Sequence, residues 1–175
     1  VLAGLAVALG AFGAHAANAG AAQVALVGSR DREAAARRAG ATDVFDYRSD
    51  GLVEAVRAAC PDGFDIAIDA VGKVSTPDLA LRLLAPGGTL GIYGIDDYGR
   101  LRLDPQAARG TFTLYNGGYA EHETHDRVID LVGAGRLDAG IWLDLDAPYA
   151  LDDIPAAMRA VAERRCVKAL VRMAD

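Results

Sequence analysis

A chain of 175 residues, 52% hydrophobic and 24% charged, holds enough apolar material for one domain with a real core plus a small appendage, which excludes a disordered or low-complexity chain. Eighteen basic residues against 24 acidic ones give a net charge of −6, and no predicted face gathers Lys and Arg, so nucleic acid is excluded as a partner class. Cys60 and Cys166 stand apart without CxxC spacing, which argues against a disulfide framework or a zinc knuckle and suits a reducing cytoplasm.

Residues 1–27 carry no Lys, Arg, Asp or Glu, and Ala14–His15–Ala16 imitates the cleavage site of a secretory leader. No basic stretch precedes the run, and His15 and Asn18 make it too polar for a membrane helix, so no membrane partner is expected. The run divides instead into a short buried strand, a turn at Gly4, a helix ending near Asn18–Ala19, a glycine at Gly20 and a second strand from Gln23 to Val27. That is a βαβ unit, and it calls for parallel strands because a parallel connection needs a crossover of about a dozen residues or more. Ligands of such folds sit at the carboxyl ends of the strands, here the Gly4 turn and the Gly28–Ser29–Arg30 turn. The lack of an initiator Met leads to the expectation that the chain is the later part of a longer protein, cut just inside its first strand.

The alternation continues. A helix over Asp31–Ala39 ends at Gly40, a left-handed cap position, before a strand at Asp43–Phe45. Asp50 caps a helix through Ala59, and Cys60–Pro61–Asp62–Gly63 is a stop-and-turn cluster. Phe64 to Asp69, FDIAID, reads as the fourth strand. Ser75–Thr76–Pro77–Asp78 starts the next helix, with Pro77 in the first turn where its missing N–H is harmless. Pro86–Gly87–Gly88 ends that helix, Thr89 to Gly94 is the fifth strand, Thr111 to Tyr115 the sixth, and a helix runs from about Ala120 to Val132. The pattern predicts an α/β fold with a doubly wound parallel sheet.

From Gly135 the pattern changes. A strand-like Ile141–Leu145, a helix from Asp152 to about Arg164 and a last strand Val167–Met173 do not extend the series. Two parts are therefore expected: residues 1–135, and a segment 136–175 that leaves this domain to join another.

Several blocks carry a family resemblance. They are Ala39–Gly40–Ala41–Thr42–Asp43 through Asp46–Tyr47–Arg48, then Phe64–Asp65 through Asp69–Ala70–Val71–Gly72, then Leu84–Ala85–Pro86–Gly87–Gly88 ending at Gly94. Together they resemble the medium-chain dehydrogenase/reductase superfamily on its zinc-type alcohol and polyol dehydrogenase side, over nearly the whole chain. The resemblance implies a Rossmann dinucleotide-binding domain over 1–135, with 136–175 as the return segment of a second, mostly absent catalytic domain. It also implies that the zinc ligands and proton-relay residues lie mainly in the half preceding the first strand, so no catalytic or metal residue is assigned to this chain.

The phosphate-binding turn departs from the family. The G-x-G-x-x-G positions fall on Gly4, Ala6 and Leu9, so only the glycine that permits the tight turn is kept. Ala6 adds a methyl where backbone approaches pyrophosphate, and Leu9 crowds the helix against the strand unless Gly10 and Gly13 make room. A register using Gly10 and Gly13 leaves only Ala14 to Ala19 for a helix that normally needs about three turns. Attraction of a diphosphate to exposed helical N–H groups survives without glycine. The alternative is a packing turn that no longer binds a cofactor.

Cofactor choice is read from the end of the second strand. An NAD enzyme places Asp or Glu there for the ribose hydroxyls, whereas this chain has Val27–Gly28–Ser29–Arg30. A small residue, a hydroxyl and a guanidinium suit a 2′-phosphate, so NADP(H) is the expected cofactor. The run resembles the Gly-Ser-Arg of NADP-dependent secondary alcohol dehydrogenases, in which a tyrosine at the position of Tyr47 borders the phosphate. The bland alternative pairs Arg30 with Asp31 or Glu33 on a solvated helix start. The resemblance also implies nicotinamide-ribose contacts at Ala70, Val71 and Gly72 and at Gly94 and Ile95, otherwise ordinary strand ends. Lys168 resembles a basic residue that reaches the pyrophosphate from the last strand, against an ordinary surface lysine.

Glu121–His122–Glu123–Thr124–His125 is not an HExxH motif, and acidic residues in a first helical turn serve the dipole, so no metal is assigned there. With three histidines and no G-x-S-x-G elbow, no Ser-His-Asp arrangement can be argued. The leading expectation is an oxidoreductase that moves hydride between NADP(H) and a small alcohol or carbonyl substrate, a secondary alcohol or polyol, with zinc or a proton donor supplied by the absent half. Two alternatives remain: a non-catalytic dinucleotide-binding or subunit-interaction module, and a zinc-free quinone or enoyl reductase of the same superfamily. A homo-oligomer is expected, joined as dimers in that superfamily often are, here through Phe112–Tyr115 and Ile141–Leu143.

Overall fold

The computed structural model describes residues 2–3, 8–94, 96–117 and 120–173. The chain forms two compact units, Val1–Glu121 and His122–Asp175. The expected parting at residue 135 differs from this division, which counts nearly all of the fifth helix with the tail.

In the first unit six strands make one sheet: β1 (Leu2–Ala3), β2 (Ala25–Gly28), β3 (Asp43–Asp46), β4 (Phe64–Asp69), β5 (Leu84–Ile92) and β6 (Thr113–Tyr115). Their spatial order is β3-β2-β1-β4-β5-β6 and every pairing is parallel, so the doubly wound sheet expected from the alternation is the one observed. Helices α1 (Ala8–Asn18), α2 (Glu33–Arg38), α3 (Leu52–Ala59) and α4 (Thr76–Leu83) cross between the first five strands. Strand order reverses between β1 and β4, which opens a crevice at their carboxyl ends.

The register explains the core. Leu2 faces Ala25 on one side and Ala67 on the other, and Ala67 faces Leu90, with Ala25, Ala67 and Leu90 wholly buried. Alanines at two of those positions let helices lie close to the sheet. α4 supplies Pro77, Ala80, Leu81 and Leu83, whose three- and four-residue spacing puts most of them on one helix face. Each wholly buried leucine there contributes roughly 1.5–3 kcal/mol.

Two helix ends follow the sequence closely. Gly20 closes α1 and Gly40 closes α2, both with positive φ, and the amides that follow return to Ala16 O and Ala36 O at 3.0 Å. At Gly40, φ is +92° and a Cβ would stand 2.7 Å from the Cβ of Ala17, so a side chain is excluded by conformation and by space. Gly10 and Gly13 both lie within α1, which excludes the register that used them as a phosphate turn.

Two local expectations are corrected. Asp50 does not cap α3: the cap position is Gly51 at φ 72°, with no side-chain bond to the helix start. Pro86–Gly87–Gly88 does not separate α4 from β5 but lies inside β5, which starts at Leu84 directly after the helix. The strand absorbs the run as an irregularity, because the β4–β5 register shifts between Phe64 and Ile66 and the Gly87 amide bonds Thr111 O at 2.6 Å.

The second unit holds most of α5 (Glu121–Gly133), then β7 (Tyr149–Ala150), α6 (Ile154–Ala162) and β8 (Val171–Arg172), with β7 and β8 parallel. The expected strand at Ile141–Leu145 is instead a 3-10 turn over Ala139–Ile141, because Asp138 accepts from the Gly140 amide at 2.8 Å and coils the chain there. The expected helix to Arg164 stops at Ala162, and the last strand shrinks to two residues. Among the described residues no helix is long and apolar enough to cross a membrane.

Candidate dinucleotide-binding site

The carboxyl end of β2 delivers Gly28, Ser29 and Arg30 to one corner of the crevice. Above Gly28 there is open space, with nothing within 4 Å of where a Cβ would stand. Ser29 is buried, and its hydroxyl donates to Asp31 Oδ2 at 3.0 Å. Glu33 is held by Arg37 at 3.2 Å, one helical turn along. Both carboxylates that could have paired with Arg30 are therefore engaged elsewhere, and among the described residues the Arg30 guanidinium makes no ion pair or hydrogen bond.

The neighbouring edge strand completes this corner. The Tyr47 amide donates to Gly28 O at 3.1 Å, which fixes the end of β3 beside the β2 turn. Tyr47 is 42% exposed, and the Arg48 guanidinium lies 4.7 Å from its ring centre, a cation–π contact. The Arg48 amide bonds Asp46 Oδ1 at 2.9 Å, so the turn is braced from both sides. A cleft of about 310 Å³ opens here, lined by Arg30, Glu33, Phe45, Asp46 and Ser49 among others. Arg48 escaped the sequence reading; its one signal was a second basic residue directly after the predicted tyrosine.

On the other side of the strand reversal, β4 and β5 end together. The amides of Tyr93 and Gly94 both donate to Asp69 O at 2.8 Å, and beyond them the Asp97 amide bonds Gly72 O at 2.7 Å. A Cβ on Gly94 would fall within the backbone of Val71 and Gly72, so only glycine permits this approach. Lys73 pairs with Asp96 at 3.0 Å across the two loops, and that bond holds its ammonium above the ordinary lysine range. Ala70, Val71, Gly72 and Gly94 are thus brought to one wall. The Tyr93 ring meets Phe12 of α1 edge to face, with centres 5.0 Å apart. Asp69, which organises this wall, was read only as a strand end.

The remaining candidates are distributed differently. Gly4, Ala6 and Ile95 lie outside the described residues, and Leu9 falls in the first turn of α1. Lys168 belongs to the second unit, where it is exposed, its amide bonds Trp142 O at 3.1 Å, and it bridges Leu143. His122 is 85% exposed beside Glu123, and among the described residues no three His, Cys, Asp or Glu are grouped to hold a metal ion.

Residues 8–132 match the family described as zinc-binding dehydrogenase. The chain belongs to that family. The dehydrogenase resemblance carried by the Gly40, Asp69 and Pro86–Gly88 blocks is thereby established. An alcohol dehydrogenase of Cupriavidus necator is 30% identical over 154 residues, covering 81% of this chain and 39% of that protein. A D-arabinitol dehydrogenase 1 of Uromyces fabae is 25% identical over 114 residues, covering 64% of this chain and 32% of the relative. The crystal structure of an alcohol dehydrogenase zinc-binding domain protein from Burkholderia ambifaria superposes with a TM-score of 0.85 at 21% identity, over 99% of this chain and 48% of that one. This zinc-binding dehydrogenase chain thus spans well under half the length of the curated relatives it matches.

Proposed function

We propose that this chain is the cofactor-binding part of an NADP(H)-dependent oxidoreductase that interconverts a secondary alcohol or polyol with its ketone. One observation carries the cofactor choice: Arg30 stands without a protein partner at the end of β2, beside Gly28 and Ser29, where an NAD enzyme keeps an acidic residue. A guanidinium there gives a 2′-phosphate charge-assisted, fork-shaped bonding, and Arg48 over Tyr47 adds a second cation to the same corner. When bound, the nicotinamide gives or takes the hydride.

The chain's own residues bind and orient. The β2–β3 corner holds the phosphorylated adenosine end, and the wall of Ala70 to Gly72 and Gly94 lies across the strand reversal, where the nicotinamide riboside would rest. The N–H groups of the first turn of α1, which do not depend on glycine, would face the diphosphate. The alcohol and arabinitol dehydrogenases among the relatives support a small hydroxyl-bearing substrate. Residues 136–175 would then be the return segment of a catalytic domain. Free Cys60 and Cys166 support a reducing, cytoplasmic setting. Leu114 and Tyr115, 51% and 59% exposed on the edge strand β6, support a homo-oligomer joined at that edge, whereas Ile141 is buried and unavailable for it.

Calorimetric titration with NADPH and with NADH tests the reading. NADPH should bind more tightly, and Arg30→Ala should weaken it about tenfold or more while leaving NADH nearly unchanged. Binding of neither nucleotide would overturn it in favour of an interaction module.

A further inference from the structure

The Asp69 carboxylate is 2% exposed and spends both oxygens on one turn. Oδ1 accepts from the amides of Val71 and Gly72, each at 3.0 Å, and Oδ2 accepts from the Thr76 hydroxyl at 2.8 Å. That hydroxyl also lies 2.9 Å from Lys73 O, but it has a single hydrogen, and the carboxylate is the shorter and stronger acceptor. The same residue's carbonyl takes the amides of Tyr93 and Gly94. One buried aspartate therefore binds four wall amides, in two consecutive pairs, and ties the start of α4 to them.

Two consequences follow from hydrogen-bond accounting. The first is rigidity: the Val71–Gly72 turn, with Gly72 at φ 78°, is held by a group that nothing else among the described residues replaces. The second is polarity. With the amides of residues 71, 72, 93 and 94 all turned to Asp69, none of these four donors is left for an anion, and what the main chain of these residues still offers is carbonyl oxygen, of which Val71 O and Gly72 O also accept from the Asp96 and Asp97 amides. Such a surface suits groups that donate, such as ribose hydroxyls and a carboxamide, and disfavours phosphate.

We propose that Asp69 is a positioning residue that presets this wall for the nicotinamide riboside half of the dinucleotide, acting through Val71, Gly72 and Gly94 without touching the ligand. The inference rests on the dinucleotide reading above. It separates two halves of one ligand: the adenosine corner depends on Arg30, and the nicotinamide wall depends on Asp69.

The test uses the full chain and two probes, NADPH and 2′,5′-ADP, which carries the phosphorylated adenosine but no nicotinamide. Asp69→Ala should weaken NADPH about tenfold, the scale of a lost hydrogen-bond pair, and leave 2′,5′-ADP within about twofold. Asp69→Asn keeps an oxygen for Val71 and Gly72 and gives the Thr76 oxygen a donor, so it should restore most NADPH affinity. Thr76→Val removes one bond only and serves if Asp69→Ala does not fold; it should weaken NADPH about threefold with 2′,5′-ADP unchanged. Wild-type-like NADPH binding by both Asp69→Ala and Thr76→Val would overturn the proposal, and so would equal loss of both probes in a folded variant, which marks a general structural role. Failure of the unaltered chain to bind either probe would instead overturn the dinucleotide reading, and this proposal with it.

Discussion

Ser29 donates its hydroxyl hydrogen to Asp31 Oδ2 at 3.0 Å, placing a carboxylate three residues past the end of β2. The bond has two effects of opposite sign: it draws Asp31 away from Arg30, and it keeps a negative charge near the corner assigned to a 2′-phosphate. Asp31→Asn retains an acceptor for Ser29 while removing the charge. NADPH affinity should rise about threefold at low ionic strength, with the gain shrinking as salt is added. Titrations at two salt concentrations read both parts; a fall in affinity would show that Asp31 orients Ser29 more than it repels the ligand.

Gly40 is constrained twice, by a φ of +92° and by the Cβ of Ala17. Gly40→Ala should destabilise by about 1–3 kcal/mol, measured as the shift of a urea midpoint at constant slope. Part of that loss is steric and belongs to the pair. Ala17→Gly should therefore cost less in the Gly40→Ala background than alone, a favourable coupling in a double-mutant cycle.

Arg164 is the one described non-glycine residue with positive φ, at 58°. It ends α6 in the manner of Gly20 and Gly40, with the Arg165 amide returning to Ala160 O at 2.9 Å. Arg164 itself is exposed, and its amide bonds Val161 O, which any residue there retains. Arg164→Gly should raise stability by about 0.5–1 kcal/mol, because the left-handed conformation penalises a Cβ more than glycine loses in chain entropy. A lower thermal midpoint for the variant would refute this.

Asp43 sits at the start of β3 with its carboxyl below the ordinary value of 3.8, chiefly through the Gln23 amide and next through the Thr42 hydroxyl. Since the folded value is the depressed one, the stabilisation is present above pH 3.8 and is lost as pH falls through the folded value. Gln23→Leu should flatten the acid limb of the stability profile below pH 3.8 and change its slope little above pH 5. Urea midpoints collected from pH 2 to 6 provide the comparison.

Much of the sheet could be read from residue order because parallel βα units combine local signals that agree. Apolar runs such as Phe64–Asp69, the proline at the start of α4 and the glycine after α2 each specify a local state the fold accepts. The misreadings came where tertiary pairing overrode local punctuation. Pro86–Gly87–Gly88 has the composition of a stop, yet β4 supplies partners on either side of it and the strand runs through. Asp50 has the chemistry of a cap, but Gly51 with positive φ takes that position. At the candidate site, Ser29, Arg30 and Tyr47 could be singled out as candidates because the chemistry proposed for them is stated in single side chains, and the structure brings them to one corner. Asp69 was not, since its role lies in which amides it faces, and a strand that alternates apolar residues conceals an inward carboxylate.

At the centre of the sheet, Leu2 and Ala3 pair with Ala25 and Leu26 on one side and with Ala67 and Ile68 on the other. Each half of the sheet, β2 with β3 and β4 with β5, can zip up from segments near in sequence, but the keystone joins residues far apart along the chain. Loop closure of that kind is entropically expensive and yields little until both sides are in place. The order of events in folding is thus set against the order of synthesis. Of the strands in this sheet, the one made before the others is the one whose docking completes it, and until then the inner edges of β2 and β4 stay open to pairing with the wrong strand.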